Sequence, residues 1–503
     1  MNEAVSGTLI DRAGHQVADR DGFVRLAVSE SEWIALARSC AEGEQDLTAL
    51  WIDGVRARTA LMSRDRTKKV IASVDCAGGR YPSVGLHHAP AIRLERAMRD
   101  LYGVEPEGLP DERGWLDHGV WPESYGRAGR PSKREPYRFL AAEGQGLHQI
   151  PVGPIHAGII EPGHFRFTAN GETVVRLEER LGYVHKGVES LFAGKNIDGA
   201  AKLAARISGD STVAYSFAFA RALEAAAGIQ VPQSAVYLRG IMAELERIAN
   251  HINDVGAICN DASAVAVHAH CTLLREKILQ FCGRCFGHRL MMDRIVPGGV
   301  TVDLSDEGIA GLRRLIKECE RDFKDAVRAY DGMPSILDRT VKTGCVSAAL
   351  VREFGAGGFV GRASARNFDC RRDAAYPPYD GLSFAVPLRQ EEDVNARTWI
   401  RIDEVGESIG LIRKLLDLLE PGPVAAEVPI ASESEGAALV ESFRGDIFVS
   451  VRLDPNGRVG HCHMRDASCF QWPLLEAAIE GNIVADFPLC NKSFNCSYSG
   501  HDM

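Results

Sequence analysis

Four long stretches with apolar residues at helical spacing, residues 187–227, 233–258, 262–293 and 305–329, follow one another along the chain. A stripe of apolar side chains recurring every three to four positions has to be buried against a partner, and successive stripes can bury one another. The spacing therefore predicts a helical bundle. The third stretch runs into Pro297 of RIVPGGV, which removes a backbone donor and predicts a stop there. Ahead of the bundle, residues 1–122 mix strand-like runs (GFVRLAV, LTALWIDG, KKVIASVD) with helical ones (ESEWIALARSC, AIRLERAMRDLYG), the pattern of an α+β unit. Near the end, DIFVSVRLDPNGRVGHCHMRD sets two alternating runs around Asp454-Pro455-Asn456-Gly457, a hairpin signal. The expected architecture is an α+β N-terminal domain (1–122), a linker rich in Gly, Pro and basic residues (123–148), and a mainly α-helical bundle domain with small β elements (149–503).

A net charge of −10 with no run of Lys or Arg argues against nucleic acid as a partner. No stretch of 18 apolar residues occurs, so no membrane span is expected. The start, MNEAVSGTLIDRAGHQ, carries early acids and no apolar core, which reads as no signal peptide and a cytoplasmic home. Without an export signal the 13 cysteines read as free thiols. No nucleotide fingerprint appears, so any NADH would bind elsewhere.

Several clusters carry titratable or ligating groups. Cys282-Gly-Arg-Cys285, with His288 a turn on, stands alone in a helical stretch and reads as core or interface thiols. His461 and His463 share one face of a strand, with Cys462 on the other, and no third ligand is evident. The Gly/Pro-rich turn at 153–166 holds His156, Glu161 and His164, a loop able to set titratable groups at the mouth of a buried site. Arg206-Ile-Ser208-Gly-Asp210-Ser211 interrupts a helical pattern and reads locally as an N-cap, Ser or Asp taking up orphan N–H groups.

In order, the blocks GPIHAGIIEPGHFRF, RLGYVHKGVESLF, ARISGDSTVAYSFAFARALE, LRGIMAELERIANHINDVG, DRIVPGGV and SFNCSYSGHDM resemble the large subunit of membrane-bound, energy-converting nickel–iron hydrogenases of the formate hydrogenlyase and hydrogenase-4 type. They resemble equally its relative, the 49-kDa subunit of respiratory complex I. The N-terminal unit, through APAIRLERAMRDLYGVEPEGLPDERGWL, is similar to the 30-kDa subunit of complex I.

The family pattern holds its metals with two cysteine pairs. With Arg206 on the family arginine, Ser208 and Ser211 take the places of the first pair; with Ser493-Phe494-Asn495 on the family's Ser-Leu-Asp, Ser497 and Gly500 take those of the second. A nickel–iron centre depends on soft thiolates, which serine and glycine do not supply, so no metal is expected in this chain and hydrogenase activity of its own is not expected. The chain also ends three residues after Gly500, without the extension that maturation proteases remove.

The resemblance further sets Glu161 on the family's proton-transfer glutamate beside a matching His164, and puts His156 near the loop that meets the quinone head group of complex I. Ala205 falls where complex I has its quinone-site tyrosine. His185, Glu189, Glu244, Arg247 and His251 match family positions. The expectation is a subunit of a membrane-associated oxidoreductase complex that couples electron transfer to proton or ion movement. A partner iron–sulfur small subunit would hold a 4Fe-4S cluster, antiporter-like membrane subunits would move the ion, and a quinone could serve as acceptor. The chain would sit at the cytoplasmic face. Glu161, His164, His156 and Asp210 would transfer protons, and Ser208, Asp210, Ser211, Ser497, Gly500 and His501 would line the former metal cavity.

Overall fold

The computed structural model describes residues 19, 21–121, 136–429 and 433–503. In the first unit β1 (Phe23–Ala27) is followed by helix α1 (Glu30–Ala41) and by β2 (Gln45–Asp53), β3 (Arg56–Ser63) and β4 (Lys69–Asp75). Helix α2 (Ile92–Tyr102) closes the unit's regular structure apart from short strand and 3-10 pieces. The sheet order is β1-β4-β3-β2, with β1 parallel to β4 and the other pairs antiparallel. Helix α1 begins on a capping box: the Ser29 hydroxyl accepts from Glu32 N–H while the Glu32 carboxylate accepts from Ser29 N–H. Strand β3 escaped the sequence reading because Arg56, Arg58 and Thr59 interrupt its apolar run.

Side chains alternate between the faces of a strand, and this sheet uses both. Val24, Leu50, Ile52, Leu61, Val70 and Ala72 pack with Trp33 and Leu36 of α1 in one core. Phe23, Trp51, Ala60, Met62 and Ile71, one residue out of step, belong to the core of the rest of the molecule. The two units therefore meet through a buried sheet face. The Trp51 ring lies 5.4 Å from that of Phe448 and stacks on His463 at 5.1 Å.

Beyond the first unit, β5 (Leu147–Val152), β6 (His164–Asn170) and β7 (Thr173–Arg180) form an antiparallel sheet. The expected linker falls partly at 122–135, outside the described residues, and β5 begins two residues ahead of the expected boundary at 149. The helices α3 (Thr212–Ala227), α4 (Gln233–Asp261), α5 (Val265–Phe286), α6 (Asp306–Asp331) and α7 (Val394–Leu418) follow. Helix α4 lies against α5 and α7 and is buried along most of its length. Then β8 (Glu435–Ser442), β9 (Gly445–Leu453) and β10 (Val459–Arg465) make a second antiparallel sheet, with α8 (Ser468–Ala478), α9 (Phe487–Phe494) and α10 (Tyr498–His501) completing the chain. The bundle and the hairpin around Asp454–Gly457 stand as the pattern predicts.

Two expectations are corrected. The stretch 187–227 is not one helix: Val188–Phe192 and Ile197–Ala204 are separate turns, and Ser208-Gly209-Asp210-Ser211 breaks the chain again before α3. The third helix ends not at Pro297 but at Phe286, where Gly287 takes a left-handed cap with φ +76°. Helix α7, unread in the sequence, is as long as its neighbours; Arg397, Arg401 and Glu404 on its buried face disguise its apolar stripe.

Candidate functional site

Two chain breaks and one turn converge to make the site. The break at Ser208–Ser211 supplies hydroxyls and a carboxylate, the segment from Asn495 to Gly500 supplies the C-terminal partners, and the two-residue turn Phe443-Arg444 between β8 and β9 supplies a guanidinium. Ser208 Oγ lies 3.1 Å from Ser497 Oγ and donates to Asp210 Oδ1 at 2.8 Å. Ser211 Oγ donates to the same carboxylate oxygen at 3.3 Å. Arg444 enters this cluster with its side chain 4% exposed and spends four donations there. They go to Asp210 Oδ1 (2.9 Å) and Oδ2 (2.5 Å), to Ser211 Oγ (3.0 Å) and to the Asn495 carbonyl (2.5 Å). Burial works against the charge of Asp210, but Arg444 and the two serine hydroxyls outweigh it and bring its carboxyl down to about 2.

The Ser497 hydroxyl accepts from Gly500 N–H at 2.9 Å and so caps α10, while Ser497 N–H donates to Ser468 Oγ at 2.8 Å. Behind Gly500, Tyr215 OH donates to Asp466 Oδ2 at 2.5 Å in full burial. A Cβ on residue 500 would fall 2.8 Å from Asp466 Cγ, from Asp466 Oδ2 and from Tyr215 OH. Glycine is therefore required by close approach: the hydrogen-bonded Tyr215–Asp466 pair occupies the space a side chain would need.

The reading of Ser208–Ser211 as a self-capping helix start is overturned. Neither the Ser208 nor the Ser211 side chain caps a backbone N–H there. The first turn of α3 is served from another helix: Glu246 of α4 accepts from Val213 N–H (2.7 Å) and Ala214 N–H (3.1 Å). Burial nevertheless pushes the Glu246 carboxyl up to about 8.

Ser208, Asp210, Ser211, Ser497 and Gly500 thus come together as one cluster. Glu161 is exposed and joins its edge, Oε2 accepting from Ser499 N–H at 3.0 Å. His156 joins through Tyr498, whose hydroxyl lies 3.1 Å from His156 Nε2. His164 does not join: Nδ1 faces the Gly153 carbonyl at 3.3 Å and Nε2 accepts from Arg166 Nε at 3.3 Å, and burial together with the Arg166 charge lowers its proton affinity against the Gly153 bond. His501 pairs with Asp502 Oδ1 at 2.8 Å and meets Trp115 edge-on. Cys496 is buried against Gln471, away from the cluster. Arg444, Tyr215, Asp466 and Tyr498 were missed. Tyr215 and Tyr498 lie in blocks that resemble the family but carry no ligand signal of their own, Asp466 follows a strand without a motif of its own, and an arginine in a two-residue turn reads as solvent-exposed.

The remaining marked residues are internal ties. Glu189 accepts from Tyr102 and pairs with His463 Nδ1 at 2.5 Å, linking the first unit to β10. Glu244, Arg247 and His251 belong to a buried network with Arg362, Asp369, Arg371, Glu404 and Glu441. Cys282 is buried in α5, and burial pushes its thiol up to about 12. Among the described residues no three His, Cys, Asp or Glu side chains gather as metal ligands, and no helix is long and apolar enough to cross a membrane.

The chemistry of the cluster does not fit a nickel–iron centre. Its groups are hard hydroxyls already bonded to one another, a guanidinium fills the middle, and the space beside Gly500 is taken. Ala205 is fully buried, and its carbonyl accepts from the Thr212 hydroxyl at 2.6 Å.

The chain is similar to known proteins along most of its length. The family model described as the respiratory-chain NADH dehydrogenase 49 Kd subunit matches residues 261–435. Formate hydrogenlyase subunit 5 of Escherichia coli (strain K12) is 30% identical over 447 residues, covering 86% of this chain and 79% of that protein. A subunit of the NADH-quinone oxidoreductase of Clostridium beijerinckii is 31% identical over 299 residues, covering 59% of this chain and 79% of that protein. The fold is shared with a chain from the structure of the membrane-bound sulfane sulfur reductase, an archaeal respiratory membrane complex. That match has a TM-score of 0.68 at 22% identity and covers 71% of this chain and 99% of that one.

Proposed function

The chain belongs to the family of large subunits shared by membrane-bound hydrogenases and the 49-kDa subunit of complex I, and from that premise we propose that it serves a membrane-associated oxidoreductase complex without carrying a nickel–iron centre. The observation that carries this reading is the Arg444–Asp210 ion pair, closed by Ser208, Ser211 and Ser497, the serines that the resemblance sets in place of the family's thiolates. An ion pair in which Arg444 makes four donations is a closed structure, and it leaves no lone pair soft enough for nickel.

In this reading a partner iron–sulfur subunit covers the site and delivers electrons from a 4Fe-4S cluster, and antiporter-like membrane subunits move the proton or ion. The chain itself supplies proton-holding groups at the edge of the cluster. Glu161 is exposed to solvent and bonded to the C-terminal turn through Ser499 N–H. His156 and Tyr498 share a hydrogen bond that can pass a proton between imidazole and phenol. Asp210, held ionised by Arg444, acts as a fixed charge that positions the serine hydroxyls rather than as a carrier. The chain would lie on the cytoplasmic face as a peripheral subunit.

Metal analysis of the purified complex tests the first half: nickel below one per ten complexes is expected, on the order of trace contamination, and stoichiometric nickel overturns the reading. Glu161→Gln tests the second. A proton carrier lost at the site lowers turnover by about 10²-fold or more, whereas a subunit that only completes the assembly keeps full turnover.

A further inference from the structure

Arg93, on α2 of the first unit, reaches into the second unit and meets two carboxylates. Nη1 lies 3.1 Å from Glu179 Oε2 and Nη2 lies 2.6 Å from Glu476 Oε1. Glu179 is at the end of β7 and Glu476 is on α8. The same Glu476 oxygen accepts from Glu179 N–H at 2.7 Å, which holds the two residues side by side. The Glu179 side chain is 0% exposed, while that of Glu476 is 22% exposed. The second oxygen of Glu179, Oε1, is buried without a hydrogen-bond partner.

The charges do not balance. Among the described residues Arg93 is the one cation paired with either carboxyl, so two ionised carboxylates would leave a net negative charge enclosed between the units. Two carboxyls held on one guanidinium, one of them with a bare buried oxygen, resist joint ionisation and favour keeping one proton between them. The neighbours offer no relief. Glu178 is engaged with Arg113 and with Leu140 N–H. Glu480 is a further carboxyl beyond Glu476, with Arg176 on its far side. On the other flank stand Tyr498, Cys496 and Cys490, whose ionisation burial suppresses. Burial and the adjacent carboxyl raise Glu179 well above the usual carboxylate range, and Glu476 is raised as well.

We propose that Glu179 and Glu476, clamped by Arg93, share a single proton and form a proton-holding site beside the C-terminal turn, filled and emptied through the partly exposed Glu476. The placement is specific. One helical turn before Glu476, Trp472 donates its Nε1–H to the Ser497 carbonyl at 3.3 Å, so the pair and the hydroxyl cluster share a support. No bond other than O–H changes: a proton leaves one carboxylic acid for water and is regained. The site exists whether or not the complex couples electrons to ions, and its use in turnover rests on the reading given above.

Infrared difference spectroscopy of the purified complex, recorded between neutral and alkaline pH, tests the pair. A protonated-carboxyl component is expected at neutral pH beside that of Glu246, displaced when glutamate is ¹³C-labelled and missing from both Glu179→Gln and Glu476→Gln, because the remaining carboxylate then pairs one to one with Arg93. Absence of a labelled band in the unaltered complex overturns the proposal without any variant. A labelled signal of undiminished amplitude in both variants overturns it too, since the proton then lies elsewhere, on Glu246 or another raised carboxyl. Turnover of Glu161→Gln judges the coupling reading separately, so the two can fail independently.

Discussion

The hydroxyl cluster at Asp210 and the carboxyl pair at Arg93 are two buried answers to the placing of charge, and they differ in arithmetic. At Asp210 one carboxylate meets one guanidinium, and three serines take up most of the remaining hydrogen-bonding capacity. At Arg93 one guanidinium serves two carboxyls and an oxygen is left bare. A balanced pair is fixed in its protonation and shapes its surroundings; an unbalanced one must hold a proton and can release it. The cluster at Asp210 is therefore the static part, and on the proposal above the junction between the units is the part able to titrate.

The sharpest break of this comparison is Asp210→Ala. It leaves the Arg444 side chain, 4% exposed, without its counter-ion, and breaking such a pair costs about 3–5 kcal/mol. Chemical denaturation should show that loss, and Arg444→Leu should cost less because the Asp210 side chain is 36% exposed and water can replace its partner. Equal losses from the two variants would mean that the pair is not asymmetric as described.

Gly500→Cys comes next. Its Cβ would sit 2.8 Å from Tyr215 OH and from Asp466, an overpacking worth about 1–3 kcal/mol. Thermal melting should register it, while Ser208→Cys and Ser497→Cys, which add no Cβ and weaken hydroxyl contacts, should cost less, about 1 kcal/mol apiece. A fourfold cysteine variant that melts normally and takes up nickel would show the space to be open.

A pH series separates the two regions. Glu179 is raised, so its contribution to stability is present below the unfolded carboxyl value near 4.5 and is lost as pH rises through its folded value. Glu179→Gln should flatten the decline of stability toward alkaline pH. Asp210 is depressed to about 2, so its contribution is present above about 4 and is lost as pH falls toward 2; Glu179→Gln should leave that acid limb unchanged. The smallest effect is expected from Cys285→Ser, half-buried in α5, with a change within about 0.5 kcal/mol and no change in metal content.

Much of the fold was legible. Periodicity located α4, α5 and α6 because each keeps an apolar stripe through its length, and Asp454-Pro455-Asn456-Gly457 fixed its hairpin by turn chemistry. Helix α7 was hidden because its buried face carries Arg397, Arg401 and Glu404, polar residues that a pattern reading assigns to solvent. The break at Ser208–Ser211 was visible as a polar interruption, but its cap was misread since the capping carboxylate, Glu246, lies in another helix.

Sequence pattern by itself was enough for the family, for helices α4, α5 and α6 and the hairpin at Asp454–Gly457, and for the absence of thiols at Ser208, Ser211, Ser497 and Gly500. Tertiary structure alone decided what stands in their place. Arg444 and Asp210 are 234 residues apart in the chain, Tyr215 and Asp466 are 251 apart, and Arg93 lies 86 residues before Glu179. Local patterns encode which face of an element is buried, because burial repeats with the period of that element. Which charge meets which across such distances depends on how several elements converge, and that is set by the packing of the whole molecule.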